Sequence, residues 1–334
     1  MKTGNTGIRN NKIKLAYILA ASHSGSTLLA MILGSHPEIA TVGELKFTAL
    51  GDVERYRCSC REEIRKCAFW AGVVEDMAAR GFDFDLNNAG TDFGSIGSGY
   101  ARKLLLPLHR GKGMEGVRDL ALLLSPVWRR DYRKIQEKNA ELIACIAGRM
   151  GKRMVVDSSK VAVRLKYLLR NPDIDVKVVR LIRDGRAVGL TYMDSARFAD
   201  AADQHLRGGG MGIDGDYPRL SMQDAAWEWR RSNEEAEILL NGIDKSRWIE
   251  VRYEAFCQDP QSETSRIFSF LRTDPVDSMA CFRSAVHHVV GNGMRLDTRR
   301  EVILDERWRD ILSRENLSVF EAVAGKLNRR LGYK

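Results

Sequence analysis

Two short stretches of the chain concentrate residues able to hold an anion: "ASHSGST" at 21–27 and "LIRDGRAVGLT" at 181–191. In the first, Ser24, Ser26 and Thr27 place hydroxyl donors around Gly25, with His23 just before them and Leu28 just after. A strand entering such a turn and a helix leaving it near Thr27 present unpaired backbone amides at the positive end of a helix dipole. That is a cradle for phosphate or sulfate. In the second stretch Arg183 closes an apolar run, Asp184 is placed to cap a following helix, and Thr191 sits two turns along it. A guanidinium suits a terminal phosphate because its fork donates two parallel hydrogen bonds, which a lysine cannot do.

Two better-known turns do not fit. The magnesium-dependent phosphate loop needs G-x-x-x-x-G-K-[ST], but Ala20 stands at the first glycine and Ser26 at the lysine. A G-x-S-x-G nucleophile elbow fails because Ser22 stands at its first glycine. The basic start and the apolar "LAYILA" at 15–20 also raise a secretory signal, yet cleavage after that run would remove the strand that the turn requires. A membrane helix would bury Ser22, His23, Ser24 and Ser26 in mid-bilayer. A buried strand is the reading that remains.

The elements that must position these residues follow from the apolar pattern. Runs at 15–20, 153–158, 176–182 and 248–254 are rich in Val, Ile and Leu and do not alternate with polar residues, so they are expected as strands covered on both faces. Helical segments separate them, among them "SMQDAAWEWRRSNEEAEILLN" with Ser221 and Asp224 in capping-box spacing. A second amphipathic helix is expected near the end, with Leu317, Phe320, Val323 and Leu327 on one face and a stop at Gly332. The fold class is α/β: three layers, α/β/α, around a central parallel sheet. One domain over 1–334 is expected, with an inserted helical and loop region at about 51–150 and a flexible glycine-rich loop at about 200–218.

Composition bounds the partners. With 53 Lys+Arg against 44 Asp+Glu, the 334-residue chain carries +9, which favours anionic ligands without choosing among nucleotides, nucleic acid and membrane surfaces. Six cysteines in this length do not make a disulfide scaffold, so a reducing compartment is expected; Cys145, Cys257 and Cys281 lie in stretches typical of buried thiols. Cys58, Cys60 and Cys67 cluster, but they lack the paired C-x-x-C spacing of zinc sites and have no histidine adjacent. Redox pairing or packing is the expectation there, and no metal.

Taken in order, these motifs resemble the sulfotransferases that move a sulfuryl group from 3'-phosphoadenosine 5'-phosphosulfate (PAPS) to a hydroxyl or amine. The family's strand, [KR]-[ST]-G-[ST]-[ST] loop and helix is met by His23-Ser24-Gly25-Ser26-Thr27, and its strand-end arginine with a hydroxyl residue eight positions on by Arg183 and Thr191. "GSHPEIATVGEL", "VVDSSK", "VRYEAFCQDP" and "LDERWRDILS" with a terminal "LGY" extend the likeness over nearly the whole chain except about 51–150.

The resemblance implies a P-loop-like sulfotransferase fold and a role for each residue. Amides from Ser24 to Leu28 and the hydroxyls of Ser26 and Thr27 would hold the 5'-phosphosulfate, and Arg183 and Thr191 the 3'-phosphate. Tyr253 would lie near the adenine, Glu44 would be the catalytic base, and Asn292, Arg295 and Arg299 would form a basic closing loop. His23 departs from the family's lysine or arginine, and Lys160 would supply the missing charge. The acceptor is expected to be a glycan or small molecule, with no nucleic acid, no metal, no stable membrane span and a cytoplasmic location. A non-catalytic relative that binds a sulfated ligand or PAP, the product left when PAPS loses its sulfuryl group, and an ATP-dependent small-molecule kinase are the alternatives.

Overall fold

Five parallel strands form one sheet in the order β2-β3-β1-β4-β5. They are β1 (Ile13–Ala20), β2 (Ile39–Thr41), β3 (Met154–Lys160), β4 (Ile174–Ile182) and β5 (Trp248–Arg252). The computed structural model describes residues 12–47, 50, 53–54, 56–95, 112–201, 203–207, 219–277, 282, 287–297 and 301–334. Four of the strands fall on the apolar runs. The fifth, β2, is three residues long and pairs, among the described strands, with β3 alone, too short to leave a periodic signal.

The sheet is covered on both faces, as its unbroken apolar strands require. Along β1, Leu15, Tyr17 and Leu19 enter one core while Ala16, Ile18 and Ala20 enter another. The first core packs against α2 (Ala68–Ala79), α4 (Pro126–Met150) and α5 (Ala162–Leu168), and the second against α1 (Ser26–Gly34), α8 (Tyr253–Gln258) and α9 (Pro260–Leu271). Burying each Val, Leu or Ile in this way contributes about 1.5–3 kcal/mol. The region at 51–150 thus supplies part of the first layer. Its α3 (Lys112–Leu124) is followed by α4, capped by Ser125, which accepts from Trp128 N at 3.3 Å.

Two other helices follow their sequence signals. α6 (Gly185–Met193) starts at Asp184, whose carboxylate accepts from Arg186 N, and α7 (Met222–Leu240) starts at Ser221, whose hydroxyl accepts from Asp224 N. The closing helix departs from expectation: α10 (Arg314–Phe320) passes through a π-helical turn, Glu321–Gly325, before resuming as α11 (Lys326–Arg330). That turn moves the buried side onto Phe320, Ala324 and Leu327, leaving Leu317 and Val323 half-buried. Cys145 and Cys257 are buried as expected, and Cys281 lies outside the described residues. No described helix is long and apolar enough to cross a membrane.

Candidate functional site

Every strand of the sheet delivers one element of the site at its carboxyl edge. The turn after β1 carries Ser24–Thr27, the loop after β2 carries Glu44, β3 ends in Lys160, β4 is followed by Arg183, and β5 by Tyr253. His23, Gly25, Ser26, Thr27, Leu28, Glu44, Lys160, Arg183, Thr191 and Tyr253 all line one cleft of about 740 Å³. Open parallel sheets bind ligands at this edge, where successive crossovers leave in opposite directions. Here β1 lies between β3 and β4, so the chain crosses over it on going from one to the other.

The turn after β1 has the features of an anion cradle. The N-cap of α1 is Gly25, so no side chain caps the helix's first amides. Gly25 has φ 90°, and a Cβ built there would stand 2.6 Å from the Tyr253 ring, so both backbone and space exclude a larger residue. Behind the turn, Ser24 is buried and its hydroxyl has no hydrogen-bond partner. Leaving a buried donor unmatched costs about 1–3 kcal/mol.

Arg183 faces this turn. Its guanidinium donates to the carbonyl oxygen of His23 at 2.9 Å and lies 4.3 Å from the Tyr253 ring centroid. It also pairs with Asp305, Nη2 to Oδ2 at 2.9 Å, while its Nε is buried and unmatched. The Asp305 carboxyl is partly desolvated, which alone would raise its pKa. Hydrogen bonds and charge from Arg307 and Arg183 outweigh that and hold it well below the usual carboxylate range. In the sequence Asp305 carries no signal beyond being an acid in "LDER", a segment of the family likeness.

Glu44 and Lys160 meet as an ion pair, both largely sheltered. Their meeting depends on a bulge: Tyr17 pairs with Asp157 but Leu19 with Lys160, so β3 carries one extra residue, and Lys160 adopts φ 70°. The Glu44 loop is fastened to the same strand end by Leu45 N on Asp157 Oδ1 (3.2 Å), Lys46 N on Ser159 Oγ (2.9 Å) and Ser158 N on the Gly43 carbonyl (2.9 Å). Asp157 is itself fixed by Arg164 at 3.0 Å with neither side chain exposed. Removing one partner of such a pair costs about 3–5 kcal/mol. Lys160 therefore does not stand as an isolated replacement for the basic residue that His23 displaces.

His23 is half-buried in the cleft wall, edge-on to Tyr192 at 4.8 Å. Desolvation, followed by the charges of Lys160 and Arg183, lowers its pKa to about 3. The ring is neutral at physiological pH in this state. Its φ of 63° places it in the left-handed region, as unusual for a non-glycine residue as that of Lys160 nearby.

Two expectations change. Arg295 is buried and turned away from the cleft, donating to the carbonyls of Val289, Gly291, Asn292 and Arg57 and stacking on Tyr56 at 4.6 Å. It holds the 287–297 segment together and is not a residue of the cleft. Thr191 lines the cleft, but its hydroxyl donates to Ala187 O at 3.0 Å, leaving only lone pairs free. Asn292 lines the cleft too, its side chain accepting from Met294 N, whereas Arg299 and most of the 200–218 loop lie outside the described residues.

No protein-family profile matches the chain, and no curated protein matches it. Solved structures do. A sulfotransferase domain from the curacin biosynthetic pathway is 18% identical, with 97% of this chain and 99% of that one covered and a TM-score of 0.49. The sulfotransferase domain of the Synechococcus PCC 7002 olefin synthase gives 17%, 96%, 98% and 0.45 for the same quantities. A mouse sulfotransferase complexed with PAP gives 12%, 96%, 88% and 0.44. The chain is similar to sulfotransferases. At these identities and scores, what the cleft does has to be read from this chain's own residues.

Proposed function

We propose that the cleft binds PAPS and transfers its sulfuryl group to the hydroxyl or amine of a glycan or small molecule. The observation that carries this reading is the hydrogen bond from Arg183 to the His23 carbonyl, which joins two anion-binding elements in one cleft. The unmatched Ser24 hydroxyl and Arg183 Nε fit a ligand rich in phosphate oxygens, since each is a buried donor without an acceptor. Tyr253 lines the cleft as a largely buried ring with Gly25 at its edge and Arg183 over one face, an aromatic wall beside the place proposed for the adenine base.

The donor supplies a sulfur electrophile: the acceptor oxygen or nitrogen forms a bond to sulfur as the bond from sulfur to the 5'-phosphate oxygen breaks. The residues of this chain do the rest. Amides at the start of α1 stabilise charge on the departing phosphate. Glu44 takes the acceptor's proton, and Lys160, already against Glu44, holds that carboxylate in place and adds positive charge. Arg183 takes the 3'-phosphate, and Thr191 joins it only when its hydroxyl turns from the Ala187 carbonyl.

A second reading rests on one observation, that His23 stands where the resembled family carries a lysine or arginine, and burial lowers its pKa further. With less charge beside the leaving group, the same cleft would bind PAP or a sulfated ligand without turnover. Transfer from radiolabelled PAPS to a panel of hydroxyl and amine acceptors, run beside thermal stabilisation by PAP, separates the two. Labelled product supports the transferase; stabilisation by PAP with no product on any acceptor supports the binding protein. No response to PAP contradicts both.

A further inference from the structure

We propose that Cys58, Cys60, Cys67 and His288 bind one zinc ion in a tetrahedral structural site that fastens the 56–67 loop to the 287–297 segment. Three of the ligands cluster along the chain, but the fourth does not, since His288 lies 221 positions from Cys67. The fold brings all four together, with every donor atom within 4.8 Å of the others.

Three of the six ligand-to-ligand spacings match a zinc shell. Thiolates about 2.3 Å and an imidazole nitrogen about 2.0–2.1 Å from a central ion lie about 3.8 Å apart sulfur to sulfur and about 3.6 Å sulfur to nitrogen. Here Cys60 Sγ is 3.6 Å from Cys67 Sγ, and His288 Nδ1 is 3.6 Å from Cys58 Sγ and 3.3 Å from Cys67 Sγ. Three thiols and one imidazole make a poor hydrogen-bonded cluster, because S–H groups are weak donors and only one ring nitrogen faces them. A disulfide would use two thiols and leave the third and the imidazole unmatched. A metal uses all four, and a three-sulfur, one-nitrogen tetrahedron selects zinc.

The groups around the shell hold the ligands in place, as outer partners do in metal sites. The His288 ring stacks on Phe69 at 4.4 Å with planes 1° apart, and Trp70 Nε1 donates to the His288 carbonyl at 3.2 Å. Ser59 donates to the His287 carbonyl at 2.7 Å and accepts from Val289 N at 2.8 Å, so the residue between two ligands also grips the strand of chain carrying the fourth. Cys58 N donates to Glu62 O and Arg61 N to Cys58 O, with Arg61 at φ 74°, a tight turn that returns the chain toward Cys67. Three thiolates and a neutral imidazole give the zinc centre one net negative charge, in a loop whose Arg57, Arg61, Arg65 and Lys66 are set against Glu62 and Glu63, with Arg65 paired to Glu54 and Lys66 to Glu63.

The site reaches the cleft through a short path. Val290, two residues after His288, bridges to Gly43, and the next residue, Gly291, lies against Glu44 and Thr27. Zinc would stiffen this wall without touching the reacting groups, and its failure would leave the reading of the cleft standing.

The test is metal analysis of the full chain, purified from zinc-supplemented cells without chelator or metal-affinity resin. About one zinc per chain is expected, released when the thiols are modified. Cobalt exchanged into the site should give the intense visible bands of a tetrahedral ion with thiolate charge transfer. Cys60→Ser alters the one thiol exposed among the described residues and spares the packed core; with the circular dichroism unchanged, it should lower zinc retention against a chelator at least about tenfold. His288→Gln should do the same. Less than about 0.1 zinc per chain in the wild type overturns the proposal, as does a disulfide found between these cysteines by mass spectrometry. Full zinc retention in both variants also overturns it. Should the variants not fold, the wild-type stoichiometry and the cobalt spectrum decide alone.

Discussion

Lys160 and Glu44 form an ion pair across the mouth of the sheet, one from a bulged strand end and the other from a loop fastened to that strand. The pairing places a proton acceptor and a cation side by side where a reacting oxygen, a sulfur and a departing phosphate would have to meet. Glu44→Gln keeps the shape and a hydrogen bond to Lys160 but removes the base. Its kcat for sulfuryl transfer should fall about 10²–10⁴-fold, with PAP affinity within about threefold of wild type. Near-normal turnover at saturating acceptor, measured by product formation, would remove Glu44 from the role of base.

Asp305 is paired with Arg183, and under the proposed function it would compete there with a ligand phosphate. Asp305→Asn should tighten PAP binding about threefold to tenfold in calorimetry, since a charge-assisted bond no longer has to be exchanged. The same variant carries a pH signature. The Asp305 pKa is lower in the folded chain than in the unfolded one, so its stabilisation is present above the unfolded value, about 3.9, and is lost as pH falls below it toward the folded value. Melting temperatures between pH 5 and 2 should therefore fall less steeply for Asp305→Asn than for wild type.

The imidazole of His23 should stay neutral in the free protein well below pH 6, because its pKa is lowered to about 3. Linkage fixes the sign: the unfolded histidine takes up a proton near pH 6.5 while the folded one does not, so stability declines as pH drops from there. His23→Asn, which tolerates the left-handed backbone, should lose less melting temperature between pH 7 and 5 than wild type. The His23 ring signals in NMR should show no titration between pH 7 and 5 without ligand. A titration midpoint near 6.5 would refute the neutral assignment.

Gly25 and Tyr253 are fitted to each other. Gly25→Ala places a methyl against the ring and requires φ 90° of an L-residue, so it should destabilise the fold by about 1–3 kcal/mol and weaken PAP binding at least about tenfold. Tyr253→Ala opens the space but not the backbone. The double variant should therefore be less destabilised than the sum of the singles, and strict additivity in chemical denaturation would show that the contact is unimportant.

How much of this was legible in the sequence depended on distance along the chain. The strands β1, β3, β4 and β5 announced themselves through unbroken runs of Val, Ile and Leu, and Asp184 and Ser221 through capping chemistry within three residues. Gly25 and Arg183 stood out because hydroxyls, glycine and guanidinium at strand ends have few structural uses. β2 escaped because three residues carry no period, and the π turn because it changes packing without changing composition. Arg295 was misplaced because a basic segment looks the same whether its guanidinium meets ligand phosphates or the carbonyls of its own loop. The Glu44–Lys160 pair, the Arg183–Asp305 pair and the approach of His288 to three cysteines are products of the fold, each joining residues more than a hundred positions apart.

Titration of the full chain with PAP in a calorimeter, beside Arg183→Ala, tests the central claim most directly. Saturable binding with one site per chain is expected, weakened at least about a hundredfold when the guanidinium is removed. An absence of heat at every accessible concentration, or equal affinity in the two proteins, would contradict the assignment of the cleft to a bisphosphorylated adenosine.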